Sequence, residues 1–142
     1  MVDSKGRLKV PANLLVTLRE FGAKFYITSE TGDAVRIYPL KVWNEIVERL
    51  GRLSSQNRNG HKLLARAKYF GQIVSIDKQG RVLIPVVLRK IAQLRGGVDV
   101  LDYQNYLEVW NHARLLKNHK RNPITMHDEK TLEICLAAAS PA

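Results

Sequence analysis

Cysteine is nearly missing from this chain. Cys135 is the only one in 142 residues, so no internal disulfide can form, and a lone thiol fits a reducing cytosol. Long apolar runs are missing too. No window reaches the 18 consecutive apolar residues that would read as a membrane helix, so no membrane partner is expected. Lys5, Arg7 and Lys9 near the start are not followed by the apolar segment of a signal peptide. There is no Gly-x-Gly-x-x-Gly or Walker sequence, hence no phosphate-cradling glycine loop. His61, His112, His119 and His127 do not stand at metal-ligand spacing with Cys135, so neither a metal nor a cofactor is expected. Nothing sets a Ser, His and Asp apart as a triad. The chain reads as a non-enzyme without a small-molecule substrate.

Acids are scarce relative to bases. Asp and Glu total 13 against 23 Lys and Arg, a net charge of +10. That excess points to a polyanionic partner, most often nucleic acid. Apolar residues make up 45% of the chain and charged ones 25%, the balance of a soluble globular protein.

What is present is a repeat. Asp3-Ser4-Lys5-Gly6-Arg7-Leu8-Lys9-Val10-Pro11 returns as Asp77-Lys78-Gln79-Gly80-Arg81-Val82-Leu83-Ile84-Pro85. Asp, Gly, Arg and Pro coincide at a constant offset of 74 residues, and a repeat of this kind fixes the architecture before any other feature. Later, Val35-Arg36-Ile37-Tyr38 lies opposite Leu107-Glu108-Val109-Trp110 at an offset of 72. The second copy is thus two residues shorter, a change placed here between its helix and its hairpin.

In chain order, Asp3 to Gly6 is a tight turn, with Asp bonding local backbone and Gly accepting positive φ. Arg7 to Val10 is a short strand. Pro11 opens a helix through Glu20, which Gly22 ends. Lys24 to Thr28 and Val35 to Tyr38 form a hairpin around Thr31-Gly32. Pro39 opens a helix whose Val42, Trp43, Ile46, Val47 and Leu50 make a core-facing stripe. Residues 51–60 are a polar joint, followed by a helix over His61 to Ala67. In the second half, Tyr69 to Ile76 is a strand expected to pair with Arg81 to Ile84 across the Asp77–Gly80 turn. Pro85 starts a helix through Leu94. Val98 to Asp102 and Tyr106 to Trp110 make the second hairpin, and Asn111 caps a helix to Lys120. Met126 to Ala139 has room for one helix in a weakly ordered tail. Only Met1-Val2 precede the first motif, so the first half is expected to lack its opening strand. The resulting units are 1–53, a basic linker 54–68, 69–120, and a tail 121–142.

The motif carries the chemistry. Each turn pushes basic side chains out from a rigid strand: Lys5, Arg7 and Lys9 in the first copy, Lys78 and Arg81 in the second. Arginine suits bidentate contact with guanine edges or phosphate, and lysine acts on phosphate as a point charge. Asp3 and Asp77 are expected to brace Arg7 and Arg81, with Gly6 and Gly80 as turn glycines. Gln79 stands where the first copy has Lys5, so the first loop is expected to contribute more. The basic run Arg114, Lys117, Lys120 and Arg121 reads equally as a solvated helix face. Trp43, Trp110 and Tyr38 read as packing residues.

The doubled Asp-x-x-Gly-Arg, each copy followed by an aliphatic strand and Pro, resembles the MraZ family, bacterial transcriptional regulators built from two tandem SpoVT–AbrB domains. The resemblance covers about residues 1–120. It implies an α+β fold, a pseudo-two-fold β-barrel of two tandem repeats with flanking helices. It also implies a cytoplasmic, nucleoid-associated protein that assembles into ring-like homo-oligomers. Its partner would be double-stranded DNA, bound at short direct repeats in the promoter of the division and cell-wall gene cluster. Arg7 and Arg81 would face that DNA, with Lys5 and Lys78 beside them. An AbrB-type antitoxin using its tail against a toxin, or a basic RNA-binding protein, are the alternatives.

Overall fold

The computed structural model describes residues 1–53 and 57–139. The first repeat comprises β1 (Arg7–Lys9), α1 (Ala12–Glu20), β2 (Lys24–Thr28), β3 (Val35–Pro39) and α2 (Leu40–Leu53). After α3 (Arg58–Phe70) and β4 (Gln72–Ser75), the second repeat runs β5 (Arg81–Leu83), α4 (Val86–Ile91), β6 (Val98–Asp102), β7 (Leu107–Asn111) and α5 (His112–Arg121), and α6 (Met126–Ala139) follows. Part of the polar joint, residues 54–56, lies outside the described residues.

The strands make a two-stranded ribbon, β1–β5, and a five-stranded antiparallel sheet in the order β4-β2-β3-β7-β6. Among the described residues no ladder joins the two into one closed barrel. Both ribbon and sheet are built about one pseudo-two-fold axis. In the ribbon Leu8 pairs with its own counterpart Val82, and in the sheet Arg36 pairs with its counterpart Glu108.

Two expectations fail here. Arg81–Leu83 does not fold back onto the strand before it. β4 pairs with β2 (Lys24 opposite Ser75), while β5 pairs with β1. The exchange buries Leu8 against Val82 on the axis and completes two matching hydrogen bonds, Val10 N to Gly80 O and Ile84 N to Gly6 O, each 2.9 Å. A local hairpin offers neither. The second failure is the place of the shortening. β2 and β6 keep the offset of 74 and β3 and β7 have 72, so the two residues are lost inside the hairpin, 29–34 against 103–106.

Some boundaries move. Tyr69 and Phe70 end α3 rather than start a strand, and Asn57 caps that helix by accepting from the backbone N–H of Asn59 and Gly60. α4 stops at Ile91, because Gln93 takes a left-handed conformation (φ 53°). Leu94 N then bonds Arg89 O and Gln93 N bonds Lys90 O, a Schellman ending built on Gln instead of Gly. Pro11 and Pro85 sit one place earlier than expected, as helix caps. Val2 bridges to Leu8 and to Gly96 and is buried.

Strand alternation sorts the side chains onto two faces. Phe25, Ile27, Val35, Ile37, Leu107 and Val109 face the ribbon and pack with Leu8, Val10, Val82 and Ile84. Burial of each such side chain contributes about 1.5–3 kcal/mol. The opposite face carries Tyr26 and Tyr38 against Trp43 of α2 and Ala67 of α3, with Tyr26 and Trp43 stacked at 4.3 Å. Thr28 Oγ1 and Tyr26 OH donate to Ala67 O, which ties α3 to the sheet. On that face Arg36 meets two carboxylates: its Nε bonds Glu108 Oε2 at 3.0 Å and its Nη1 reaches Glu30 Oε2 at 3.1 Å. Tyr38 OH donates to Glu30, and Trp110 Nε1 donates to Glu108. Burial lifts the Glu30 carboxyl above its ordinary pKa, with Arg36 pulling the other way. The described side chains of α6 contribute no buried residue to either core.

Candidate nucleic-acid interface

The two Asp-x-x-Gly-Arg loops adopt one geometry. Asp3 Oδ1 accepts from the backbone N–H of Lys5 and Arg7, both at 2.9 Å, while Oδ2 accepts from Arg7 Nε at 2.9 Å. Asp77 does the same with Gln79, Arg81 and Arg81 Nε, at 2.9, 2.9 and 3.0 Å. Gly6 and Gly80 close the turns with φ of 83° and 77°, which a side chain resists. In each loop the backbone N–H of the arginine is the main reason the aspartate stays below its usual pKa, with the guanidinium adding to it.

The expected bracing is therefore present, and it uses only one edge of each guanidinium. Among the described residues the Nη groups of Arg7 and Arg81 have no hydrogen-bond partner. The aspartate fixes the direction of each arginine and leaves its fork open. Lys5 and Lys78 are exposed at the tips.

Strand pairing redistributes the remaining charge. Arg7, Lys9, Arg81 and Leu83 share the outer face of the ribbon, since Leu8 and Val82 between them are buried. Lys9 lies opposite Arg81, and Arg7 opposite Leu83. Lys9 thus stands beside Arg81 across the ribbon, as well as two places along from Arg7 on the same face.

Two more cations reach the loops, and sequence reasoning missed both. Arg19 of α1 donates through Nη2 to Asp77 O at 3.4 Å and lies 3.5 Å from Lys78 O. Arg89 of α4 donates through Nε to Ile84 O at 2.9 Å, and its guanidinium fills the space beside Gly6. A Cβ on Gly6 would stand 2.4 Å from Arg89 Cζ. Leu15, the counterpart of Arg89, fills the same space beside Gly80. Each loop is thus supported by the helix of the other repeat. The repeat gives no signal for these arginines, because Arg19 and Arg89 are not counterparts: they stand against Gln93 and Leu15.

Among the described residues no His, Cys, Asp and Glu cluster could hold a metal, and no helix is long and apolar enough to cross a membrane. Two diverged copies of one unit, wound about a common axis and each presenting a braced Asp-x-x-Gly-Arg loop, define a tandem-repeat protein. The family model "MraZ protein, putative antitoxin-like" matches residues 1–65 and 72–135, so the chain belongs to the MraZ family. The second match runs beyond the last residue expected, into α6. A protein of Acidobacterium capsulatum named transcriptional regulator MraZ is 44% identical over 132 residues, 92% of this chain and 90% of that one. A namesake from Koribacter versatilis is 41% identical over 133 residues, with the same coverage. One from Thiobacillus denitrificans is 35% identical over 114 residues, 80% of this chain and 77% of that one.

Proposed function

We propose that this chain is a sequence-specific DNA-binding transcriptional regulator whose ribbon is its reading head. The observation that carries the proposal is the shared loop geometry: two arginines aimed by aspartates, with their forks open, on one outer face. Arg7 and Arg81 read base edges in the major groove, where a bidentate arginine favours guanine. Lys5, Lys9 and Lys78 hold phosphates and set position. The net charge of +10 supports the same partner. One chain offers two loops, and short direct repeats need more, so the working form is a ring-like homo-oligomer with its loops facing one way. Family membership supports a target in the promoter of the division and cell-wall gene cluster, and a place in the cytoplasm on the nucleoid.

The test compares a duplex carrying short direct repeats with a scrambled duplex over a range of salt. Affinity should fall with a slope of about −0.9 per phosphate neutralised. Arg7→Ala and Arg81→Ala should each remove about 1–3 kcal/mol of preference for the repeats. A folded Arg81→Ala protein with undiminished preference would end the readout role of the second loop, and light scattering showing only a monomer, with and without DNA, would end the ring.

A further inference from the structure

Besides Lys120, six cations outside the ribbon lie along α4, its end and α5: Arg89, Lys90, Arg95, Arg114, Lys117 and Arg121. They line two adjoining shallow clefts. Arg89, Lys90 and Arg95 line one, and Arg114, Lys117 and Arg121 line the other, with Gln93 in both. Arg114 fastens the junction, since its Nη1 donates to Ile91 O of α4 at 3.1 Å and to Gly32 O at 3.4 Å. At the near end Arg89 stands beside Gly6, so the clefts continue from the first loop. Among the described residues Asp33 is the one carboxylate lining either cleft. Among the described residues Lys90, Arg95, Lys117 and Arg121 make no ion pair.

The first repeat shows that the fold does not require this charge. Its counterparts of the six are Leu15, Val16, Phe21, Val42, Glu45 and Arg49. The same helices form there with one cation and one acid at these six positions. At these matched positions the basic character belongs to the second repeat, on the side that adjoins the first loop.

We propose that α4 and α5 form a basic track that holds the phosphate backbone of duplex DNA flanking the segment contacted by the first loop. This rests on the reading of the ribbon as a DNA-binding head. Helix positions three and four apart stand about 5–6 Å from one another, and one strand of duplex carries a charge every ~3.4 Å of axis. Arg114, Lys117 and Arg121, on one side of α5, therefore meet nearby phosphates of one strand. The track adds length to the contact on one side and carries no base information.

The experiment uses the full chain, a short duplex covering only the loop site, and the same duplex extended by about one helical turn on each side. Wild type should bind the extended duplex more tightly and with a steeper salt slope. Lys117→Ala/Arg121→Ala should lose that gain, with a slope shallower by about 1.8 units, and should keep wild-type base preference. Both residues are exposed, and a melting curve confirms the fold of the variant. A wild-type slope in that variant on the extended duplex overturns the track and leaves the ribbon reading intact. No wild-type affinity for the short duplex sinks the ribbon reading, and the track with it. A gain seen with single-stranded RNA of equal length but not with the extended duplex also overturns the track.

Discussion

Arg36 and Glu108 are the same residue position in the two repeats, and they face each other across β3 and β7 with Nε 3.0 Å from Oε2. A position that pairs with itself about a two-fold axis would place like beside like if the copies were identical. Here divergence has set opposite charges on the axis. Pairing the first repeat of one chain with the first repeat of another would oppose two arginines, and second with second would oppose two glutamates. The sheet is thereby biased toward joining unlike repeats.

The pair should matter unequally by partner. Arg36 serves both Glu30 and Glu108, so Arg36→Ala strands two largely buried carboxylates and should cost about 3 kcal/mol. Glu108→Ala leaves Arg36 its bond to Glu30 and should cost less. Arg36→Glu should be worse than Arg36→Ala, and adding Glu108→Arg should recover part of the loss. Urea denaturation of the four variants checks the order. Equal losses in the two alanine variants would contradict the shared role of Arg36.

The turn glycines give a second test. Gly6→Ala and Gly80→Ala each force a side chain into left-handed backbone, a cost of about 1–2 kcal/mol. Each new Cβ also meets a neighbour, Arg89 at 2.4 Å or Leu15 at 2.7 Å. Arg89→Ala added to Gly6→Ala should remove the contact part of the loss and leave the backbone part. A double-mutant cycle by chemical denaturation reads this coupling, and strict additivity would show that Arg89 does not fill that space.

Acid should loosen the loops. The folded pKa values of Asp3 and Asp77 lie below the ordinary aspartate value, held down first by the backbone N–H of Arg7 and Arg81. A depressed carboxyl contributes stability that is present above the unfolded value, about 3.9, and is lost as pH falls through the folded value. Glu30 is shifted the other way by burial, so its effect has the opposite sign and lies at higher pH. Melting temperature should therefore drop with acid below about pH 4 in wild type and drop less in Asp3→Asn/Asp77→Asn. Parallel curves for the two proteins would remove the carboxylates from the account.

Removing the chain after Arg121 should leave stability almost unchanged. The described side chains of α6 are exposed throughout, including Leu132, Ile134 and Leu136. Its loss should fall within about 0.5 kcal/mol by thermal melting. A clear drop that depends on protein concentration would instead place α6 against a second copy.

Much of the fold is legible in the sequence because its signals are local. Proline and glycine punctuation, the Thr31-Gly32 turn and the stripe at Val42, Trp43 and Ile46 all act over a few residues, and the corresponding elements form. The turn chemistry of Asp3 and Asp77 is legible for the same reason. Pairing is not local. Arg81–Leu83 has a nearby apolar run to pair with, yet finds β1 far back in the chain, because only that choice buries Leu8 and Val82 together. Lys9 consequently stands beside Arg81, which no reading along the chain could place. Arg19 and Arg89 stay hidden because the repeat, the strongest signal available, sets unlike residues against them.

The crossed support of the loops bears on how such a chain can change over generations. A duplicated unit whose copies each keep their own helix and strand can shed one copy and leave a working half. Here the loop at Gly6 leans on Arg89 and the loop at Gly80 leans on Leu15, and each ribbon strand forms its ladder with a strand of the other copy. A half-chain would present its loop over a missing floor, with Leu8 or Val82 open to water. The two copies are free to drift apart in surface charge, as Val42 and Arg114 already have, but they are inherited as a pair.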